Sequence, residues 1–228
     1  PGKFSGQVAL LRRRPEADVS YGITLYRDEC GRLSSLPHKD TGKSLERMFP
    51  RFLNERCWDT STPLYRRSVC DRAGAWLPLW LEEDWEYDCR IASLGGVLAY
   101  LPEPVSETRD TAPHRLSRGR YLDPERMRQR AKAQTRIYSH AVYAGLDWKI
   151  PEMRTFSRSL FLLARQCGLV GLSPEARSLL TLSRQAAGPT ASIDLMCYGA
   201  LASIAGWRAM GRLAEMYERW RARHRVGD

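Results

Sequence analysis

The stretch Glu82-Glu83-Asp84-Trp85-Glu86-Tyr87-Asp88-Cys89-Arg90-Ile91-Ala92-Ser93-Leu94-Gly95-Gly96-Val97-Leu98-Ala99-Tyr100-Leu101 decides the fold class. Its first thirteen residues, Glu82 to Leu94, read as a helix. Three acids open it, where the positive end of the helix dipole favours negative charge, and Gly95-Gly96 closes it. Val97, Ala99 and Leu101 then form a buried strand that should stop at Pro102-Glu103-Pro104. A helix feeding directly into a buried strand predicts an α/β arrangement.

Working toward the N-terminus, Ser68-Val69-Cys70-Asp71 resembles a helix start. A serine can cap free amides there, and Gly74 can end the helix after about two turns. Thr60 to Arg66 has strand character. Ser44 to Asn54, apolar at Leu45, Met48, Phe49 and Phe52, predicts a short amphipathic helix interrupted by Pro50. From Ala17 to Arg27, Val19, Tyr21, Ile23 and Leu25 alternate with small or polar residues, the pattern of a half-buried strand. Asp28-Glu29-Cys30-Gly31 closes it with a turn, so a hairpin is expected.

Working toward the C-terminus, no strand signal follows Asp123. Helices are expected near 123–144, 152–167, 173–186 and 191–223, and Asp123-Pro124 and Ser173-Pro174-Glu175 serve as starts. The chain therefore divides into an α/β part, residues 1–118, and an all-helical part, residues 119–228.

The 228 residues are 43% hydrophobic, enough for a buried core. No run of 18 apolar residues occurs and no basic-then-apolar leader opens the chain, so a cytoplasmic protein is expected. Six scattered cysteines include no CxxC pair and no histidine at metal-ligand spacing, which predicts reduced, mostly buried thiols. The net charge of +10 lies wholly in the second half: residues 1–106 hold 15 basic and 15 acidic side chains, and residues 107–228 hold 21 and 11. The cations are nearly all arginines at helical spacings interleaved with acids. That pattern suits a solvated helix face or an anionic membrane surface, and it argues against a nucleic-acid partner.

Five segments carry a resemblance. They are Thr62-Pro63-Leu64-Tyr65-Arg66-Arg67-Ser68-Val69, Ala73-Gly74-Ala75-Trp76, Glu83-Asp84-Trp85-Glu86-Tyr87, Arg90-Ile91-Ala92 and Leu98-Ala99-Tyr100-Leu101-Pro102-Glu103-Pro104. In order and spacing they resemble the second half of family 2 glycosyltransferases of the GT-A type. Pro1-Gly2-Lys3-Phe4 with Gln7-Val8 looks like the helix that follows that family's metal-binding Asp-x-Asp loop. The resemblance covers residues 1 to 118. It implies a partial GT-A (Rossmann-like) sheet layer followed by an all-helical C-terminal region. The nucleotide-binding strands and the Asp-x-Asp site would precede Pro1, so the chain alone is expected to be inactive.

The implied activity is inverting transfer of a sugar from a nucleotide-sugar donor to a hydroxyl acceptor, in a glycan or a bacterial surface polysaccharide. A divalent metal, Mn or Mg, is expected with the full-length enzyme. Such chemistry needs one carboxylate to take the acceptor's proton, because an alcohol is a poor nucleophile at neutral pH. The resemblance implies that Asp84 is that base and that Glu83 orients its neighbours. Trp76, Trp80 and Trp85 are candidates to stack against the acceptor's sugar rings. Arg109 and Arg115 are candidates for the diphosphate, and His114 for the metal. His38 lies in a loop with no partner readable from sequence. The competing expectation is a non-catalytic binding module whose basic helical tail docks on a peripheral membrane surface or a protein partner.

Overall fold

A computed structural model describes residues 2–109 and 122–224, with the side chains of 218, 219 and 221–224 left out. Two compact units divide the chain: Pro1–Arg118 with Ser139–Gly145, and Gly119–Tyr138 with Leu146–Asp228. The described residues are mixed α/β, with a three-stranded mixed sheet and eight α-helices.

The first unit is built on strand β1 (Val19–Arg27), the middle of the sheet. It pairs antiparallel with β2 (Leu64–Tyr65) and parallel with β3 (Leu98–Arg109). The alternation of Val19 and Tyr21 with Ser20 and Gly22 predicts one buried face, yet both faces of this half of β1 are covered. Helix α1 (Lys3–Arg13) explains the second face. Its buried Gln7 donates to the carbonyls of Ser20 (2.9 Å) and Thr62 (3.1 Å), so the small polar positions of β1 meet a polar partner and not water. On the other face Tyr21, Phe52 and Trp58 are fully buried and pack ring to ring, with Trp58 centred 5.0 Å from Tyr21 and 4.8 Å from Phe52.

Strand β3 does not stop at Pro102. The pairing steps from Gly22↔Leu101 to Ile23↔Pro104, leaving Pro102 and Glu103 outside the register. A bulge of this kind lets a strand carry prolines, which have no amide hydrogen to give the ladder. The predicted hairpin is only a turn: Gly31 N donates to Asp28 O (3.0 Å), and the return arm holds a single bridge, Arg27↔Leu33. The predicted helix over 44–54 is reduced to one 3-10 turn, Arg51–Leu53, because Pro50 cannot donate within a helix and disfavours helical backbone at Phe49. The strand expected over 60–66 is ordered only at Leu64–Tyr65. Helix α2 (Arg67–Ala73) starts one residue before Ser68, which does not cap it, and ends at Gly74 with φ 76°. Helix α3 (Glu83–Ser93) lies where the sequence places it.

The second unit is helical throughout its described residues. Helix α4 (Pro124–Tyr143) is capped by Asp123 Oδ1, which accepts from Arg126 N at 2.9 Å; its last turn belongs with the first unit. Helices α5 (Pro151–Leu169) and α6 (Ser173–Ala187) pack through Phe156, Leu160, Leu163, Leu179 and Leu180. The helix expected over 191–223 is two, α7 (Ile193–Ala205) and α8 (Trp207–His224), broken at Gly206 with φ 88°. No described helix is long and apolar enough to cross a membrane. Among the cysteines, Cys57, Cys89 and Cys167 are buried, Cys70 is half-buried, and Cys30 and Cys197 are exposed; all six are free thiols.

Candidate functional site

Helix α3 begins abruptly. Glu82, the residue before it, is left-handed (φ 59°), a conformation that costs a non-glycine residue about 1–3 kcal/mol. The first turn then presents Glu83, Asp84 and Glu86 at the positive helix end. Asp84 and Asp88 are four residues apart and share a face, an arrangement that is repulsive for like charges. Arg56 resolves it. Its Nη1 donates to Asp84 Oδ2 (2.5 Å) and its Nε to Asp88 Oδ2 (2.6 Å).

Asp88 is wholly buried and held by three donors: Arg56 Nε, Trp58 Nε1 (3.0 Å) and Tyr65 Oη (2.5 Å, to Oδ1). Burial pushes its carboxyl pKa up, against the pull of these donors. Burial likewise opposes the charge on Arg56, but Asp88 and Asp84 outweigh it and hold the guanidinium above its ordinary value. Burial, reinforced by Asp88, raises the Tyr65 phenol well above its usual range, so Tyr65 acts here as a donor.

Asp84 is the outward end of this network, with 23% of its side chain exposed against none for Asp88. Thr60 Oγ1 also donates to Asp84 Oδ2, and Trp85 N donates to Oδ1 (2.7 Å). Three of the roughly four lone-pair directions of the carboxylate are thus filled, and one remains.

A second polar knot lies two residues along. Glu86 is 1% exposed and accepts from Arg90 through Nε (3.1 Å) and Nη2 (2.5 Å), and from His140 Nε2 (2.8 Å) in the last turn of α4. A carboxylate only accepts, so His140 carries its hydrogen on Nε2. Burial raises the Glu86 pKa, but His140 and Arg90 more than offset it and hold it below the ordinary value.

The three candidate tryptophans have different surroundings. Trp76, 42% exposed, stacks on Tyr87 at 4.9 Å with 24° between the rings. Tyr87 in turn meets Tyr65 edge-on. Trp85 turns inward and its Nε1 donates to Phe52 O (2.6 Å), so it is a packing residue. Trp80 is partly exposed in the loop before α3. Glu83 is half-buried beside Asp84.

Arg109, at the end of β3, shares Glu107 with Arg27, its register partner on β1. Arg27 binds Glu107 bidentately (2.7 and 2.9 Å) and Arg109 Nε lies at 2.6 Å. These two arginines hold the Glu107 carboxyl at about 2. His114 and Arg115 lie outside the described residues. His38 stacks on Tyr26 at 5.3 Å, with Nε2 3.6 Å from Asp59.

Arg56, Thr60 and Asp88 escaped sequence reasoning as site residues. The spacing of Asp84 and Asp88 was a usable signal: two acids on one helix face need a shared cation, but nothing local names Arg56 as that cation. Comparison of the chain with protein-family models, curated proteins and solved structures finds no match. Among the described residues no group of three or more His, Cys, Asp or Glu side chains is placed to hold a metal ion.

Proposed function

We propose that this chain supplies the acceptor-side half of an inverting, GT-A-type family 2 glycosyltransferase, with Asp84 as general base. The observation that carries the reading is the state of Asp84. It is the partly exposed carboxylate at the rim of a network whose inner member, Asp88, is wholly buried, and it is held by Arg56 and Thr60 with one lone-pair direction left for an incoming hydroxyl. The five segments that resemble the family also all fall within the first unit, and β2 sits at an edge of the sheet, where further strands could join.

In the reaction, the acceptor oxygen attacks the anomeric carbon as its proton passes to Asp84. A carbon–oxygen bond forms on one face of the sugar and the bond to the diphosphate breaks on the other, so the configuration inverts. The nucleoside diphosphate leaves with the bonding electron pair. Trp76, stacked on Tyr87, offers an apolar platform for the acceptor's sugar, with Trp80 nearby in sequence. Arg109 already contacts Glu107, and the roles of Arg109, Arg115 and His114 remain those the resemblance implies. The implied divalent metal has no ligand set among the described residues, and no step here is assigned to it.

The test is transfer from nucleotide-sugar donors by the protein with its donor-binding strands present. Asp84→Asn is expected to lower turnover by about 10²–10⁴-fold while donor binding holds, because the amide keeps the shape but cannot take the proton. Near-normal turnover would remove Asp84 from the chemistry. That outcome would favour the second reading, a non-catalytic binding module.

A further inference from the structure

Helix α7 turns apolar side chains to both sides. Leu195, Tyr198 and Ala202 face into the second unit and are buried. The opposite side carries Ile193 (83% exposed), Met196, Leu201 and Ile204 (87% exposed), and the helix has a single charge, Asp194. An ordinary surface helix carries polar residues there. Helix α8 continues the pattern: Trp207 and Gly211 point inward, and Leu213, Met216, Tyr217 and Trp220 are all more than half exposed.

The exposed side of α8 is itself divided. At about 100° per residue, Ala209, Leu213, Met216, Tyr217 and Trp220 form one strip, and the exposed Arg208 and Arg212 run along its border. The sequence continues with arginines at 219, 221 and 223. An outward apolar strip containing tryptophan and tyrosine, edged by arginines, is the composition of a helix that lies in a membrane interface.

We propose that the α7–α8 face docks on an anionic lipid bilayer. Its exposed isoleucines, leucines and Trp220 would enter the acyl boundary while the arginines contact lipid phosphates. Charge decides between this and self-association. The arginine excess of the second half suits a negative surface, whereas a second copy across a two-fold axis would present the same arginines to one another. No described helix can span, so the mode is peripheral. The inference does not depend on the glycosyltransferase reading.

The test is co-sedimentation of the 228-residue chain with phosphatidylglycerol–phosphatidylcholine vesicles and with pure phosphatidylcholine vesicles, across a salt series. Binding is expected to the anionic vesicles only and to weaken as salt rises. Reversing Arg208 and Arg212 to Glu should lower it by roughly tenfold or more. The surface change Ile204→Asp with Leu213→Asp should lower it comparably, with the circular dichroism and thermal midpoint unchanged. Equal binding to both vesicle types overturns the proposal, as does binding that survives Ile204→Asp with Leu213→Asp. Concentration-dependent self-association without lipid binding, abolished by the same pair, also overturns it and assigns the face to a second copy.

Discussion

The two units reach stability by different means. The first buries charge: Asp88, Arg56, Glu86 and Arg90 are all at most 15% exposed at the side chain and pair acid to base, although Arg56 Nη2 is left without an acceptor. The second buries hydrocarbon, with Phe156, Leu160, Leu163, Leu179 and Leu180 between α5 and α6. Its interior polar contacts include a reciprocal one, with the Ser157 and Ser183 hydroxyls each donating to the other residue's carbonyl at 2.7 Å. A buried charge network costs desolvation and tolerates few changes, so it tends to persist where positioning of a group matters. An aliphatic bundle is tolerant in the interior. The features that suggest function then fall on the rim of the network in one unit and on the outer surface in the other.

The sharpest way to break this contrast is Asp88→Ala. It leaves Arg56 buried without its main counter-ion and deprives Trp58 and Tyr65 of their acceptor, so about 3–5 kcal/mol of stability should be lost. Hydrogen exchange read by mass spectrometry should show the loss in peptides covering 51–65 and α3. Asp84→Asn, at the exposed end of the same network, should cost less than about 1 kcal/mol. Equal costs would mean that Asp84 is as structural as Asp88 and would weaken its assignment as base.

In the second unit the tight spot is a helix crossing. A Cβ added at Gly211 would meet the backbone of Leu169 at 2.6–2.7 Å, and one added at Gly168 would lie 2.9 Å from Trp207 O. Gly211→Ala should therefore cost about 1–3 kcal/mol by forcing α8 off α5. Because α8 carries the docking face, the same variant should reduce vesicle binding; unchanged stability and binding would show that the crossing is looser than it is drawn here.

Much of this contrast was legible in the sequence, and what was not has physical causes. Strands β1 and β3 were legible because Val19 to Leu25 alternates and Val97 to Leu101 is continuously apolar, and the all-helical tail because its caps are local. Pairing over a distance was not. Nothing near Pro102 says that β3 will bulge past Pro102 and Glu103 and go on pairing with β1, and nothing near Gln7 says that Ser20 and Thr62 will be its acceptors. The candidate site divides along the same line. Asp84 and Trp76 could be nominated from their own segments, but Arg56, 28 positions away, is a tertiary choice. The partner of Trp85 is likewise a tertiary choice: its indole Nε1 donates to Phe52 O, 33 positions away.

Acid sharpens the comparison further, since the polar unit should be the pH-sensitive one. The folded-state pKa of Glu86 is depressed by His140 and Arg90 in spite of burial. A depressed carboxyl contributes stability that is fully present above its unfolded value, about 4.3, and is lost as pH falls through the folded value. Denaturant midpoints for the first unit should fall as pH drops below about 5, and Glu86→Gln should flatten that slope. An unchanged slope would show that other carboxylates dominate acid unfolding.

The smallest effect is expected at Glu107, although its pKa, about 2, is among the most displaced. The displacement comes from hydrogen bonds with Arg27 and then Arg109, at the exposed end of the β1–β3 ladder, where water and salt screen the charges. By the same sign rule its contribution is present above the ordinary carboxyl range and lost only as pH falls toward about 2, beyond the point at which Glu86 has begun to titrate. Glu107→Gln should therefore leave the thermal midpoint at neutral pH nearly unchanged, with any residual difference removed by added salt. It should also remove the Arg109–Glu107 ion pair. If the glycosyltransferase reading holds, that loss should alter donor affinity while turnover stays constant. A large loss of stability at neutral pH would instead make the Arg27–Glu107–Arg109 cluster a structural clamp, and would count against Arg109 as a diphosphate contact.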